Sequence, residues 1–122
     1  MIIVVSLYIV DENEAVRSAL AERLDEDARV DVVGHASNPD FVLRHISQLC
    51  PEVVLIEVKR SDGLGLEIIR RLADLESSPY LVVLTSYPSA WEEAASRRAG
   101  AHSYLLKDID PGELICQISS TL

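Results

Sequence analysis

The stretch Val53-Val54-Leu55-Ile56-Glu57 decides the fold of this chain. Its first four residues are apolar and mostly β-branched, which predicts a strand buried on both faces, as in a parallel sheet. The strand ends at a carboxylate, and the loop Lys59-Arg60-Ser61-Asp62-Gly63 follows. Ligands bind at the carboxyl ends of parallel strands, so Glu57 is a candidate site residue. A lone acid at a strand end, however, is more often simply solvated.

Strand-like and helix-like patterns alternate from this stretch to both ends of the chain. Strands are predicted at residues 2–10, 30–36, 53–56, 80–84 and 102–106. Helices are predicted at about 14–26, 39–49, 64–75, 88–99 and from 111 onward. This order predicts an α/β fold, a (βα)₅ three-layer sandwich with a parallel sheet, in one domain over residues 1–122.

Helix ends and helix faces are also marked in the sequence. Asn13 and Asn38 are predicted N-caps, Pro39 suits a first helical position, and Gly100 is placed to end the fourth helix. Trp91 is predicted to lie half-buried against the sheet. Two apolar stripes are predicted for the first and second helices: Val16, Ala19, Leu20 and Leu24, and Phe41, Val42, Ile46 and Leu49.

Composition restricts the function classes. The formal net charge of −9 disfavours nucleic-acid binding by this domain, because phosphate contacts need clustered Lys and Arg, so a DNA target would require a separate basic domain. Cys50 and Cys116 form no CxxC pair, and the three histidines have no zinc-ligand spacing. The apolar residues 1–10 lack a basic start and a cleavage site, which predicts a first strand and a cytoplasmic protein.

The predicted strands carry polar residues at their carboxyl ends. Asp11 and Glu12 follow the first strand, Glu57 the third, Thr85 the fourth and Lys107 the fifth. Crowded carboxylates need a cation, and oxygen ligands suit Mg²⁺ better than Zn²⁺. A lysine and a hydroxyl opposite them would complete a pocket for a phosphoryl group.

These motifs resemble the receiver domain of bacterial two-component response regulators over essentially the whole chain. The similarity runs through residues 7–12, 51–57, 82–86 and 100–108, and residues 32–38 and 105–108 are most similar to the subfamily with a LuxR-type helix-turn-helix output. The resemblance implies a flavodoxin-like sheet in the order 2-1-3-4-5. It also implies regulation of transcription through an output domain or partner.

The resemblance assigns a role to each candidate residue. Asp11 and Glu12 match the acidic pair that holds Mg²⁺, and Lys59 supplies a backbone carbonyl to the same ion, with Glu57 as a further possible ligand. Thr85 matches the switch hydroxyl, Tyr104 the aromatic that moves with it, and Lys107 the lysine that pairs with phosphoryl oxygens.

The chain departs from the family at the phosphoacceptor position, where Glu57 replaces Asp. One extra methylene pushes the carboxylate into the space meant for phosphorus and metal, so weak or absent Mg²⁺ binding is expected. We expect the longer side chain to reach Lys107 and Thr85 without a phosphate. Ser61 also stands where a proline is usual.

The leading hypothesis is therefore a non-enzymatic pseudo-receiver that acts by protein–protein contact. The resemblance implies contact through the fourth helix, fifth strand and fifth helix, either as a homodimer or with a partner protein, while a histidine kinase stays a possible partner. An alternative is control by phosphate or Mg²⁺, with Glu57 as a poor acceptor or a metal ligand. A flavin or cobalamin carrier is disfavoured, because Asp11 and Glu12 would repel a flavin phosphate and no DxHxxG motif occurs.

Overall fold

The computed structural model describes residues 4–121, without the side chain of residue 121. The strands are β1 (Val5–Val10), β2 (Val30–Ala36), β3 (Val53–Ile56), β4 (Tyr80–Thr85) and β5 (Ser103–Leu106). The helices are α1 (Glu14–Asp25), α2 (Pro39–Leu49), α3 (Gly65–Ala73), α4 (Ala90–Ala99) and α5 (Pro111–Thr121). Of the predicted first strand, Ile2 and Ile3 lie outside the described residues.

The five strands form one parallel sheet in the order β2-β1-β3-β4-β5. This order confirms the predicted flavodoxin-like topology. All four residues of β3 are buried, as its unbroken apolar sequence predicts for a strand covered on both faces. The central place of β3 puts its carboxyl end between the ends of β1 and β4.

Alternate residues of each strand pack into two separate cores, one on each face of the sheet. On one face, Tyr8, Val54 and Ile56 pack with buried residues of α2, α3 and α4. On the other face, Leu7 and Leu55 pack with buried residues of α1 and α5. The three-layer architecture predicted from the sequence is therefore confirmed.

The predicted caps are present and define where the helices begin. Asn13 and Asn38 accept hydrogen bonds from the N–H groups of Val16 and Phe41. The fourth helix begins at Ala90 and not at residue 88, because the hydroxyl of Ser89 caps it by accepting the N–H of Glu92 at 3.0 Å.

Several predicted apolar contacts are wrong. Phe41 and Leu49 do not belong to the buried stripe of α2, where only Val42 and Ile46 are buried, and Phe41 lies against the ring of His45. Trp91 is 71% exposed and does not pack on the sheet. In α1 the buried residues are Ala21 and Leu24, whereas Val16 and Ala19 are exposed. Over the described residues, no helix is long and apolar enough to cross a membrane.

The start of α3 depends on a close backbone approach. A Cβ added to Gly65 would lie 2.7 Å from the carbonyl carbon of Val58, a distance that real Cβ atoms essentially never show. Because backbone atoms cannot give way as a side-chain end can, only glycine fits between the β3–α3 loop and the first turn of α3.

We therefore expect Gly65→Ala to lower the free energy of unfolding by about 3 kcal/mol, at the upper end of the range for overpacked sites. Urea unfolding followed by circular dichroism measures this. The matched control is Gly112→Ala in α5, whose added Cβ would meet only the flexible carboxylate of Asp110 at 3.1 Å. The control is expected to change stability by about 1 kcal/mol or less. Equal effects of the two substitutions would contradict the packing argument.

Candidate functional site

The parallel strands bring the predicted site residues together at the carboxyl end of the sheet. Asp11 and Glu57 follow the neighbouring strands β1 and β3, and the N–H of Glu57 donates to the carbonyl of Val10 at 3.0 Å. Thr85 ends β4, and its carbonyl accepts the N–H of Lys107 at 2.9 Å. Main-chain hydrogen bonds thus fix the relative positions of all four residues.

Lys107 forms a bridge between the two buried carboxylates. Its Nζ lies 2.8 Å from Oδ2 of Asp11 and 3.2 Å from Oε1 of Glu57. Asp11 is 4% exposed and Glu57 is 7% exposed, so neither charge is shielded by much water. One ammonium therefore faces two carboxylates in a weakly polar environment, where charge–charge attraction is strong.

The pKa of Lys107 reflects this environment. Burial is the largest single influence and acts to lower the pKa, but the hydrogen bond to Asp11 and the negative charges of Glu57 and Asp11 together raise it above its usual value. The side chain is therefore an ammonium throughout the physiological pH range. The expected contact of Glu57 with Lys107 is present.

The other carboxylate oxygens of this pair also have donors. Oδ1 of Asp11 accepts the N–H of Asn13 at 2.9 Å, at the start of α1. Oε2 of Glu57 accepts the N–H of Lys59 at 3.2 Å, in the β3–α3 loop. The extra methylene of Glu57 thus leads to a carboxylate whose two oxygens are both occupied by groups of the protein.

Glu12 is held by the β3–α3 loop and not by the Lys107 bridge. Its carboxylate accepts the N–H of Ser61 at 2.9 Å and the Ser61 hydroxyl at 2.8 Å. A proline at position 61, which the resemblance leads one to expect, could supply neither donor. Ser61 is therefore what binds Glu12 to this loop.

The predicted Mg²⁺ ligands do not form a metal site in this arrangement. Within residues 4–121, no group of three or more His, Cys, Asp or Glu side chains could hold a metal ion. Asp11 and Glu57 contact Lys107, and Glu12 contacts Ser61, so the conformation does not fit a divalent cation. The carbonyl of Lys59 stays a predicted ligand.

Thr85 does not contact Glu57 among the described hydrogen bonds. Its hydroxyl, which is completely buried, lies 3.2 Å from Nζ of Lys59 and also accepts the N–H of Tyr87 at 3.2 Å. The expected contact between Glu57 and Thr85 is therefore replaced by one between Lys59 and Thr85.

Tyr104 is half-buried, and its hydroxyl is engaged on α4. The hydroxyl donates to Oε1 of Glu92 at 2.6 Å and accepts the N–H of Ser89 at 3.3 Å. Burial and then the Glu92 hydrogen bond raise the pKa of Tyr104 to about 12.

The sequence did not single out Glu92 or the side chain of Lys59. A glutamate on an Ala-rich helix carries no signal that it faces inward.

Fold and strand-end residues together define a receiver-type α/β module, and comparison with known proteins agrees. The response regulator receiver domain family matches residues 7–119. The chain belongs to this family.

The chain is 36% identical over 114 residues to an uncharacterised response regulatory protein of Vibrio parahaemolyticus, covering 93% of this chain and 44% of the relative. It is 34% identical to the DNA-binding transcriptional activator DevR/DosR of Mycobacterium tuberculosis, covering 90% of this chain and 51% of the relative. The chain thus spans about half the length of the curated relatives it matches.

Solved structures agree on the fold. The signal receiver domain of the putative response regulator NarL from Mycobacterium tuberculosis superposes with a TM-score of 0.86 at 19% identity, covering 98% of this chain and 96% of that one. A LuxR-family two-component response regulator from Aurantimonas gives the same TM-score at 20% identity, covering 97% and 84%.

We expect Lys107→Met to destabilise the domain by about 3 kcal/mol at neutral pH, because it leaves two buried carboxylates facing each other without a cation. Acid removes the charge that makes two unpaired carboxylates repel, so the lost stability is expected to return as the pH falls.

Urea unfolding at several pH values measures this effect. The control is Arg97→Met, which removes an exposed cation 3.2 Å from Glu93 and should change stability by about 0.5 kcal/mol or less. A Lys107→Met deficit that is small, or that does not shrink in acid, would contradict the bridge.

Proposed function

We propose that this chain is a signalling receiver module that works by protein–protein contact and does not depend on phosphorylation of its central acid. The observation that carries the proposal is the Lys107 bridge, in which the lysine already pairs with Glu57 and Asp11. By resemblance, this lysine would otherwise be available to phosphoryl oxygens. We propose accordingly that the chain is a binding module and not an enzyme.

Geometry supports the loss of the acceptor function. In-line transfer needs the nucleophile close to its productive position, and a displacement of about 1 Å costs on the order of a hundredfold in rate. The carboxylate of Glu57 extends one methylene further than the Asp of the family and is held from two sides. A carboxylate has one negative charge against about 1.5 to 2 for a phosphate, so any mimicry of the phosphorylated state is partial.

A phosphate- or Mg²⁺-controlled receiver is the second candidate. Thr85, Tyr104 and Lys107 all keep the residue types that the family uses to respond to a phosphoryl group. In this case Glu57 is a poor acceptor or a metal ligand, and a histidine kinase supplies the phosphoryl group. Mg²⁺ would compete with Lys107 for the carboxylates of Asp11 and Glu57.

Phosphorylation tests these two candidates directly. After incubation with acetyl phosphate and Mg²⁺, we expect the intact mass of the wild-type chain to stay unchanged. The Glu57→Asp variant, one methylene shorter, should gain the mass of one phosphoryl group, and Glu57→Gln is the matched control that cannot. Stoichiometric phosphorylation of the wild-type chain at Glu57 would contradict the first candidate, and slow partial phosphorylation would favour the second.

The contact surface that we propose is formed by α4, β5 and α5. Trp91 of α4 is 71% exposed and Leu106 of β5 is 45% exposed, and Tyr87 in the loop before α4 is 74% exposed. A cleft at the same place is lined by Thr85, Ser86, Pro88, Leu106, Lys107 and Asp108. Because Lys107 belongs both to this cleft and to the carboxylate bridge, the surface is continuous with the site. Exposed aromatic residues are typical of binding hot spots.

For the transcriptional role we rely on the relatives. DevR/DosR is named a DNA-binding transcriptional activator, and a further relative of 30% identity, LiaR of Bacillus subtilis, is named a transcriptional regulatory protein. We propose that this domain regulates transcription through an output domain or a partner protein. Its place in the cytoplasm stays a prediction from the sequence.

We expect self-association of the chain through this surface, and Trp91→Ala to weaken it at least tenfold, roughly the effect of losing a hot-spot aromatic. Sedimentation equilibrium measures the dissociation constant. Phe41→Ala on α2 removes another exposed aromatic, 44% exposed, and should leave the constant unchanged. A chain that stays monomeric at every concentration would contradict self-association. The surface would then be expected to bind a different partner protein.

A further inference from the structure

A single side chain joins the β3–α3 loop to β4 and α4. Nζ of Lys59 lies 2.8 Å from Oε2 of Glu92 and 3.2 Å from the Thr85 hydroxyl, and it also donates to the carbonyl of Tyr87. These acceptors belong to the end of β4, the β4–α4 loop and the first turn of α4. Lys59 therefore ties the β3–α3 loop to the continuous stretch that runs from the end of β4 to the first turn of α4.

Glu92 is the buried partner in this network. It is 8% exposed, and its second oxygen accepts the hydroxyl of Tyr104 at 2.6 Å. The side chain of the neighbouring Glu93 is 44% exposed and pairs with Arg97 across one helical turn. A buried carboxylate is costly without a cation, so the position of Glu92 depends on Lys59.

Lys59 also contacts the central acid, through its backbone. Its N–H donates to Oε2 of Glu57, while its ammonium contacts Thr85 and Glu92. The path from the central acid to the contact surface thus runs from Glu57 through Lys59 and Glu92 to the hydroxyl of Tyr104.

We propose that the ammonium of Lys59 is a latch, which holds Glu92 inward and thereby fixes Tyr104 on the α4–β5 surface. Release of the latch leaves the Glu92 carboxylate without a cation, so it turns to solvent and frees the Tyr104 hydroxyl. Displacement of the β3–α3 loop, which contains Lys59, would be such a release. This inference rests on the proposed function in one respect: it takes the surface of α4, β5 and α5 as the one that contacts a partner.

Tyrosine side-chain NMR tests the latch. The chain has four tyrosines, so ring-carbon labelling of tyrosine gives few signals, and Tyr104→Phe identifies the one from Tyr104. Lys59→Met and Glu92→Gln should each shift this signal, although Lys59 does not contact Tyr104. The double variant should show no further shift than the larger single one, because both substitutions break the same path.

A titration adds a second measurement. Glu92→Gln should lower the pKa of Tyr104 from about 12, because the carboxylate that accepts the hydrogen bond of the hydroxyl and repels the phenolate is gone. The control is Arg71→Met, which removes one positive charge from α3, where Arg71 pairs with Glu67 at 3.2 Å, and should leave the Tyr104 signal in place.

An unchanged Tyr104 signal in Lys59→Met, or additive shifts in the double variant, would overturn the latch. Thermal unfolding checks that each variant folds, and Lys59→Gln provides a second neutral variant if Lys59→Met does not. All measurements use the chain without acetyl phosphate. These measurements can therefore contradict the latch without bearing on whether the chain acts independently of phosphorylation. The mass measurement on Glu57 tests that second question.

Discussion

Two buried carboxylates at the ends of adjacent strands need a cation, and the rest of the site depends on this constraint. Asp11 and Glu57 follow β1 and β3, and the parallel register keeps them close although their like charges repel. Lys107 comes from the end of β5, two strands away from β3, and its long side chain reaches back to both acids. The sheet thus brings a like-charged pair together and also supplies the ammonium that stabilises it.

The same constraint explains why a glutamate is accommodated at the centre. A longer side chain in a buried position is tolerated only if its polar atoms find donors. Glu57 finds Lys107 with one oxygen and the N–H of Lys59 with the other. Ser61 acts in parallel, because its N–H and hydroxyl bind Glu12 to the β3–α3 loop. The carboxylates of Glu57 and Glu12 are therefore satisfied by groups of the chain itself.

Periodicity and local chemistry were enough to predict the order of the elements and the Asn caps, because both depend on patterns within a few residues. The sheet order came from the resemblance to the family. The predicted burial of Phe41, Leu49 and Trp91 was wrong. An apolar residue on a helix indicates a buried face only if a neighbouring element covers it. Here α2 buries a narrow stripe of Val42 and Ile46.

The missed residues have a different cause. Glu92 and Glu93 look alike in sequence, yet Glu92 is buried and Glu93 is only partly buried. What separates them is a lysine 33 positions earlier, whose ammonium lies where α4 packs beside the β3–α3 loop. Such a contact depends on two loops and a helix being placed at once, so no local pattern could have indicated it. Lys107 was found because its position at a strand end is part of the family pattern.

The strengths expected for the two lysine contacts suit different roles. Lys107 is one-fifth exposed and faces two acids that are almost fully buried, so breaking it leaves uncompensated charge in the interior. The side chain of Lys59 is 40% exposed, and water can replace part of its contact with Glu92. Exposed ion pairs contribute about 1 kcal/mol or less, whereas loss of one partner of a buried pair costs about 3–5 kcal/mol. The partly exposed Lys59–Glu92 pair is expected to fall between these limits, so it can be broken at a lower cost than the Lys107 bridge. Lys107 is therefore suited to hold the fold of the site, and Lys59 to change.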